Sequence, residues 1–241
     1  MDLKKVVSQY IYAAPLLEIP LGKKSIINTI NPHSYCEAKK DRVFAEALLS
    51  SDVLLPDGSG IVLATKILTG KKINKIAGAD IHQYLLKQAH LKSQKVFYLG
   101  ASINTLQLIE KRIEKEFPNI QVASYSPPYK SAFSKDETNS MLKAINSFQP
   151  DILFVGMTAP KQEKWVYQNK EVIEANTIVS IGAVFDFYAG TVKRSSKFWI
   201  QLGLEWLPRL LRDPKRLWKR NFVSTPLFLL DILKVKFNLK E

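Results

Sequence analysis

The chain has 241 residues, 46% of them hydrophobic and 24% charged, with a formal net charge of +13. That length and balance suit one large domain, or one domain with an appendage, and exclude a disordered chain. The single cysteine, Cys36, excludes an internal disulfide and is expected to be a half-buried helical residue.

The first ten residues begin somewhat like a signal peptide. Gln9, Pro15 and Glu18 break the apolar part after them, and no clean small-residue cleavage site appears. No window approaches the ~18 uninterrupted apolar residues of a spanning helix, so any contact with a membrane is expected at its surface.

Strand-like and helix-like segments then alternate. Residues 25–30 read as a strand, and Asn31-Pro32 comes next as an N-cap with proline at the first helical position, opening a helix expected to reach about residue 50. Residues 52–55 make a short strand; residues 60–68 and 79–92 are helical. Residues 95–100 are the clearest buried strand, succeeded by a helix over 105–117 and a strand over 120–124. Ser134 with Glu137 forms a capping box for a helix to about residue 148. Residues 151–156 are again a buried strand, Pro160 opens a helix, and 177–181 is the last strand. Strands rich in Val, Ile and Leu alternating with helices imply an α/β fold, a mostly parallel sheet with helices on both faces. Ligands of such sheets sit at the carboxyl ends of the strands. That rule collects Thr29 and Asn31, Asp57 and Gly58, Gly100, residues 125–129, 156–162 and 182–186 around one crevice.

Composition changes near Gly190. From Thr191 to Glu241 twelve Lys or Arg face four acids, a charge of +8 out of +13, and three of the four Trp lie there. A basic, aromatic, amphipathic segment seeks an anionic surface with an apolar layer beneath it. A helix is expected over 197–212. Asp213-Pro214 should restart a second, and Thr225-Pro226 a third. Arg209, Arg212, Arg216 and Arg220 stand three or four residues apart and share a side if the bend at Pro214 is mild. The chain thus divides into a core, 1–190, and a helical C-terminal appendage, 191–241.

The chemistry-bearing groups each have a structural and a functional reading. Asp57, in Pro56-Asp57-Gly58-Ser59-Gly60, suits a turn or a cap, yet a carboxylate at the ligand edge can also accept a proton from a hydroxyl nucleophile. In Thr158-Ala159-Pro160-Lys161-Gln162-Glu163, Thr158 can cap and Glu163 can complement the helix dipole. Equally, free N–H groups there can cradle a phosphate while Gln162 binds a sugar. Asp186, among Phe185, Phe187 and Tyr188, is expected to be paired or functional. Asp80 suits the first turn of a helix, and Lys75 can pair a phosphate. No P-loop, no complete dinucleotide-binding glycine fingerprint and no Asp-x-Asp pair occurs. His33, His82 and His90 lack ligand spacing, so no metal and no cofactor are expected.

In order along the chain stand Thr29-x-Asn31; Asp57-Gly58-x-Gly60; Ala77-Gly78-Ala79-Asp80; Phe97-Tyr98-Leu99-Gly100; Pro150-Asp151-x-x-x-Val155-Gly156; Pro160-Lys161-Gln162-Glu163; Phe185-Asp186-x-x-Ala189-Gly190-Thr191-x-x-Arg194; and Gly203-Leu204-Glu205-Trp206-x-x-Arg209-Leu210-x-x-x-Pro214-x-Arg216. Together they resemble the TagA/WecG/CpsF family of bacterial glycosyltransferases, enzymes of the N-acetylmannosaminyltransferase type. The resemblance implies a Rossmann-like core with a membrane-docking C-terminal appendage. It implies inverting, metal-independent transfer of a hexose or N-acetylhexosamine from a UDP-sugar to a polyprenyl-diphosphate-linked sugar, in cell-surface polysaccharide or teichoic-acid-type synthesis. Carried onto this chain, Asp57 is the base, with Thr29 and Gln162 beside the reacting sugar. Asn31, Lys75, Gly78, Asp80, Gly100 and Asp186 bind the donor, and Arg209, Arg212 and Arg216 close over the diphosphate. The expected place of work is the cytoplasmic face of the plasma membrane, on an anionic lipid surface. The chain departs from the family pattern at Gly100-Ala101-Ser102-Ile103, at Met157-Thr158-Ala159, at Ser195-Ser196 after Arg194, and at Lys75, where an Arg is expected.

The rival reading is a non-catalytic basic module that binds nucleic acid or membrane; charge alone allows it. A nucleic-acid binder has no need of an acidic turn at the strand ends, so no nucleic-acid partner is expected. A nicotinamide oxidoreductase on the same sheet is weakened by the missing glycine fingerprint. The sequence does not fix the oligomeric state, and a homo-oligomer is compatible with it.

Overall fold

A computed structural model describes residues 1–22, 24–193, 195–196, 199 and 206–239, apart from the side chains of Arg209 and Arg216. Arg194, Gly203, Leu204, Glu205 and much of the first half of the helix expected over 197–212 lie outside the described residues, and α-helix is assigned from Trp206 to Arg212.

Among the described residues six strands form one parallel sheet: β1 Ser25–Ile30, β2 Val53–Pro56, β3 Lys95–Gly100, β4 Gln121–Tyr125, β5 Ile152–Gly156 and β6 Thr177–Ser180. Their order is β2-β1-β6-β5-β3-β4. The strands pair in parallel throughout, with Ile30 opposite Pro56 and Gly100 opposite Gly156 at the carboxyl edge. Central strands β1, β5 and β6 are almost wholly buried, as continuous Val/Ile/Leu runs require when both faces are covered.

Among the described residues the α-helices are α1 Leu3–Lys5, α2 Pro32–Ala38, α3 Arg42–Leu49, α4 Ser59–Thr69, α5 Gly78–Leu91, α6 Ile103–Glu116, α7 Lys135–Phe148, α8 Lys161–Asn169, α9 Gly182–Ala189, α10 Trp206–Arg212, α11 Pro214–Lys219 and α12 Thr225–Phe237. Helices α5, α6 and α9 cover one face, in a cluster with Val96, Tyr98, Phe154 and Val179. Helices α7 and α8 cover the other, against Phe97, Leu99, Leu153 and Val155. Alternation along β3 and β5 sends neighbouring residues to opposite faces. A third cluster covers the β2 edge, where Leu3, Val6 and Val7 of the N-terminal turn meet Tyr35, Phe44, Ile61, Phe228 and Ile232.

Three expectations are corrected. The helix expected over 32–50 is two helices: the chain turns at Lys39-Lys40, and the Asp41 carboxylate caps a new helix by accepting the Phe44 N–H at 3.0 Å. At α8 the cap position belongs to Pro160, and it is the Thr158 carbonyl, not its hydroxyl, that accepts the Lys161 N–H at 2.9 Å. The third helix does start at Thr225-Pro226, but Thr225 does not cap it and the chain does not break there. The backbone stays helical from Lys219 through a π-helical turn, Arg220–Ser224, into α12. Pro226 has no N–H to give, and its ring would crowd a carbonyl four residues back. The wider turn relieves both, and Thr225 Oγ1 donates to the Arg220 carbonyl at 3.2 Å.

Helix α12 is anchored on the core. Phe228 and Ile232 are fully buried, worth roughly 1.5–3 kcal/mol each. Phe228 meets Tyr35 edge to face at 5.3 Å, and Lys39 bonds Asp231 at 2.8 Å. Its other side exposes Leu227, Leu229, Leu230, Leu233 and Phe237 beside Lys234 and Lys236.

Candidate active site

The carboxyl ends of β1 and β2 build one wall of a cleft. Asp57 comes directly after β2, and its N–H donates to the Ile30 carbonyl at 2.9 Å, fixing the turn on the end of β1. Gly58, at φ +113°, then swings the chain into α4, a conformation that a side chain would strain. The Ile76 N–H donates to the Pro56 carbonyl at 3.1 Å, so the same strand end holds the loop that carries Lys75. Asn31 caps α2: its Oδ1 accepts the His33 and Ser34 N–H groups at 3.0 and 3.1 Å. The C-terminal helices supply the opposite wall, with Trp206, Leu217, Arg220, Asn221 and Thr225. The cavity is about 270 Å³, and Asn31, His33, Asp57, Gly58 and Lys75 line it.

Of the residues expected in the site, this cleft therefore gathers Asp57, Asn31 and Lys75. Thr29 lies one residue short of the β1 end, half-buried, and alternation puts it on the Ile27 face of the strand, opposite Asn28 and Ile30. Gly78 opens α5, packed so closely that an added Cβ would stand 3.0 Å from Ile181 Cγ2. Asp80 accepts the Ala77 N–H at 2.9 Å as part of that helix start. Asp186 is half-buried on α9, and its Oδ1 accepts the Thr191 hydroxyl at 3.4 Å.

Gln162 is buried, only 4% exposed. Its Oε1 accepts the N–H groups of Met157 and Gly182, both at 3.1 Å, so it ties the loop after β5 to the start of α9. Its Nε2 donates to Glu163 Oε1 at 2.8 Å. Glu163 turns inward with it, and burial raises its carboxyl to about 7. Gln162 thus organises two strand-end loops from below.

Gly100 stands at the carboxyl edge, where β3 pairs with β5. Helix α6 after β3 and α8 after β5 lie on opposite faces, the arrangement that opens a sheet edge to ligand. There an added Cβ on Gly100 would come within 2.2 Å of the Gly156 carbonyl oxygen, so only glycine lets the two strand ends close up. Four strand spacings of about 4.8 Å separate the ends of β2 and β3, so Asp57 and Gly100 mark an edge roughly 19 Å long.

The Arg212 guanidinium donates to the Lys193 carbonyl, and its side chain is exposed. The backbones of Arg209 and Arg216 lie on α10 and α11; their side chains lie outside the described residues. The arginine seen in the cleft is Arg220, which the sequence places in the same series but does not mark as a site residue. His33 lacks metal-ligand spacing, yet it too lines the cleft. Burial first, then the charge of Arg220, lowers its pKa. Its position directly after Asn31-Pro32, at the end of β1, is the signal that could find it.

The chain matches the model of the glycosyl transferase WecG/TagA/CpsF family over residues 8–241. It is 35% identical over 216 residues to the N-acetylglucosaminyldiphosphoundecaprenol N-acetyl-beta-D-mannosaminyltransferase of Bacillus subtilis (strain 168), covering 90% of this chain and 82% of the relative. The enzyme of that name from Bacillus spizizenii is 34% identical over 213 residues, 88% of this chain and 80% of its own. That of Staphylococcus aureus (strain MW2) is 30% identical over 215 residues, 89% and 82%. With a parallel sheet whose strand ends gather an aspartate, an asparagine and a lysine against basic C-terminal helices, and with that match over nearly its whole length, the chain belongs to the WecG/TagA/CpsF family of glycosyltransferases.

Proposed function

We propose that the protein transfers an N-acetylmannosamine-type sugar from a UDP-sugar to a polyprenyl-diphosphate-linked N-acetylglucosamine, with inversion at the anomeric carbon. This reading rests above all on the shared cleft of Asp57, Asn31, Lys75 and Arg220. Asp57 takes the proton of the acceptor hydroxyl as that oxygen attacks the anomeric carbon from the face opposite the leaving group. The glycosidic C–O bond breaks toward the diphosphate, and UDP leaves with the bonding electrons. Charge grows on the diphosphate during that step. Fixed cations aimed at it stabilise the transition state, each worth about 2–4 kcal/mol. Lys75 and Arg220 stand in the cleft for this task, and Arg209, Arg212 and Arg216 are close to it in sequence on α10 and α11. Oδ1 of Asn31 is committed to capping, which leaves its Nδ2 to donate to the donor sugar or phosphate. Thr29, Gly78, Asp80, Gly100 and Asp186 extend the donor site along the strand ends. Gln162 serves by holding the Met157 and Gly182 loops that frame it.

The lipid-linked acceptor calls for a surface site. No helix among the described residues is long and apolar enough to cross a membrane. The exposed leucines and lysines of α12, with Trp218 and Phe222 nearby, suit the headgroup boundary of an anionic leaflet, at about 1 kcal/mol per basic residue. Residues 191–241 act in this reading as a docking appendage to the core of residues 1–190, on the cytoplasmic side.

The test is transfer itself. Purified protein is incubated with a panel of UDP-hexoses and UDP-N-acetylhexosamines and a short-chain polyprenyl-diphosphate N-acetylglucosamine. The expected product is a disaccharide formed with UDP-N-acetylmannosamine, its anomeric configuration inverted by NMR. Turnover with a different UDP-sugar alone would overturn the donor assignment, and retention would overturn the single-displacement mechanism.

A further inference from the structure

A hydrogen bond distant in sequence joins α2 to the C-terminal helices beside the cleft. His33 Nδ1 and Ser224 Oγ share a hydrogen bond of 2.8 Å, across 191 residues of sequence. Ser224 is buried, 3% exposed, and closes the π-helical turn Arg220–Ser224. Its carbonyl also accepts a weak bond from Cys36 Sγ at 3.4 Å. Two residues of α2 therefore grip the last residue of the turn whose first residue, Arg220, lines the cleft. The π turn sets the phase of that helix. One inserted residue rotates the helix before it by about 100° against the helix after it, so the turn decides where Arg220 faces while Phe228 stays in the core. A turn of this kind carries its hydrogen bonds in poorer geometry than an α-helix and needs outside support to hold one direction.

We propose that His33 is a positioning residue: through Ser224 it fixes the π turn and so holds Arg220 in the Asp57 cleft. This rests on the glycosyltransfer reading above for its kinetic consequence, but not for its structural one. His33 is suited to a neutral, directional hydrogen bond. It is half-buried, and Arg220, Lys219 and Lys40 all oppose its protonation, with only Glu37 favouring it.

The experiment compares the full-length wild type with H33A, S224A, H33N, R220A and the H33A/R220A pair. Hydrogen exchange of residues 220–228 is read without substrate, and kcat/KM is read with donor and short-chain acceptor. H33A and S224A should speed exchange of that stretch and lower kcat/KM about tenfold, the scale of one lost hydrogen bond that strands a buried partner. Asparagine at position 33 can place an amide atom near the position of Nδ1, so H33N should recover most of both. The pair H33A/R220A should be no slower than R220A alone, since both changes remove one effect. Wild-type exchange in H33A, or independent, multiplying losses in the pair, would overturn the proposal. If no variant, wild type included, transfers sugar, the glycosyltransfer reading fails while the exchange measurement still decides the His33 latch.

Discussion

Replacing Gln162 with leucine distinguishes a scaffold role from a substrate contact. Leucine nearly fills the volume but offers no acceptor. Two N–H groups, of Met157 and Gly182, lose a partner now held at 3.1 Å, and Glu163 Oε1 loses its donor at 2.8 Å. Stranding a buried polar group costs about 1–3 kcal/mol, and the Gly182 group is only partly buried, so the sum comes to roughly 3 kcal/mol. For a chain of this length that is a fall in midpoint of about 6–12 °C. The assay is thermal unfolding with UDP affinity measured in parallel. A clear loss of stability with weakened UDP binding is expected, because the loops at the ends of β5 and β6 come apart. Wild-type stability with unchanged UDP binding and a loss confined to kcat would defeat the scaffold role and return Gln162 to the reacting sugar.

Burial and exposure set two more expectations. Glu163 has its carboxyl raised to about 7 by burial, against an ordinary value of 4.5. The folded state thus binds the extra proton, and the group's contribution to stability is present below about pH 4.5 and lost as pH rises through 7. Buried His82, lowered to about 3, works the other way, adding stability as pH rises from 3 toward 6.5. The two nearly cancel between pH 4.5 and 6.5 in the wild type, so E163Q should gain stability over that window by roughly 3 kcal/mol relative to it. Parallel pH profiles would contradict the assignment. Changing Leu230, Leu233 and Phe237, all exposed on α12, to serine should leave the midpoint nearly unchanged and release the protein from anionic vesicles in a flotation assay; undiminished flotation would remove α12 from the membrane face.

Much of the fold is legible in the sequence because local chemistry and global structure agree. The Val/Ile/Leu runs of β1, β3, β5 and β6 are buried on both faces as their composition implies, and the caps at Asn31 and Ser134 form as their residue types require. The strand order is not legible, since every neighbour in the sheet is set by contacts distant in sequence. The break at Asp41 escapes for a related reason: the helical pattern continues across it. Asp41 bonds Lys164 of α8 at 2.7 Å, a partner 123 residues away. The N-terminal turn is short and interleaves Leu3, Val6 and Val7 with Lys4, Lys5 and Ser8, and Phe228 and Ile232 of α12 decide where it packs. In the site, Asp57 and Asn31 are legible from their place after strands, and Lys75 from its place before α5. Gln162 stands in the expected loop but faces inward, because a glutamine that can satisfy two backbone N–H groups is worth more there than in water. Arg220 belongs to a helical series of arginines, and only the π turn, invisible to periodicity, puts it in the cleft.

The whole mechanism depends on Asp57 accepting the proton of the attacking hydroxyl. Single-turnover transfer by D57N, with donor and acceptor both saturating and UDP affinity measured alongside, isolates that step. A general base contributes about 10²–10⁴ in rate. D57N is expected to fold, to bind UDP within about twofold of the wild type and to transfer sugar slower by about that factor. Transfer at the wild-type rate would remove Asp57 from the role of base.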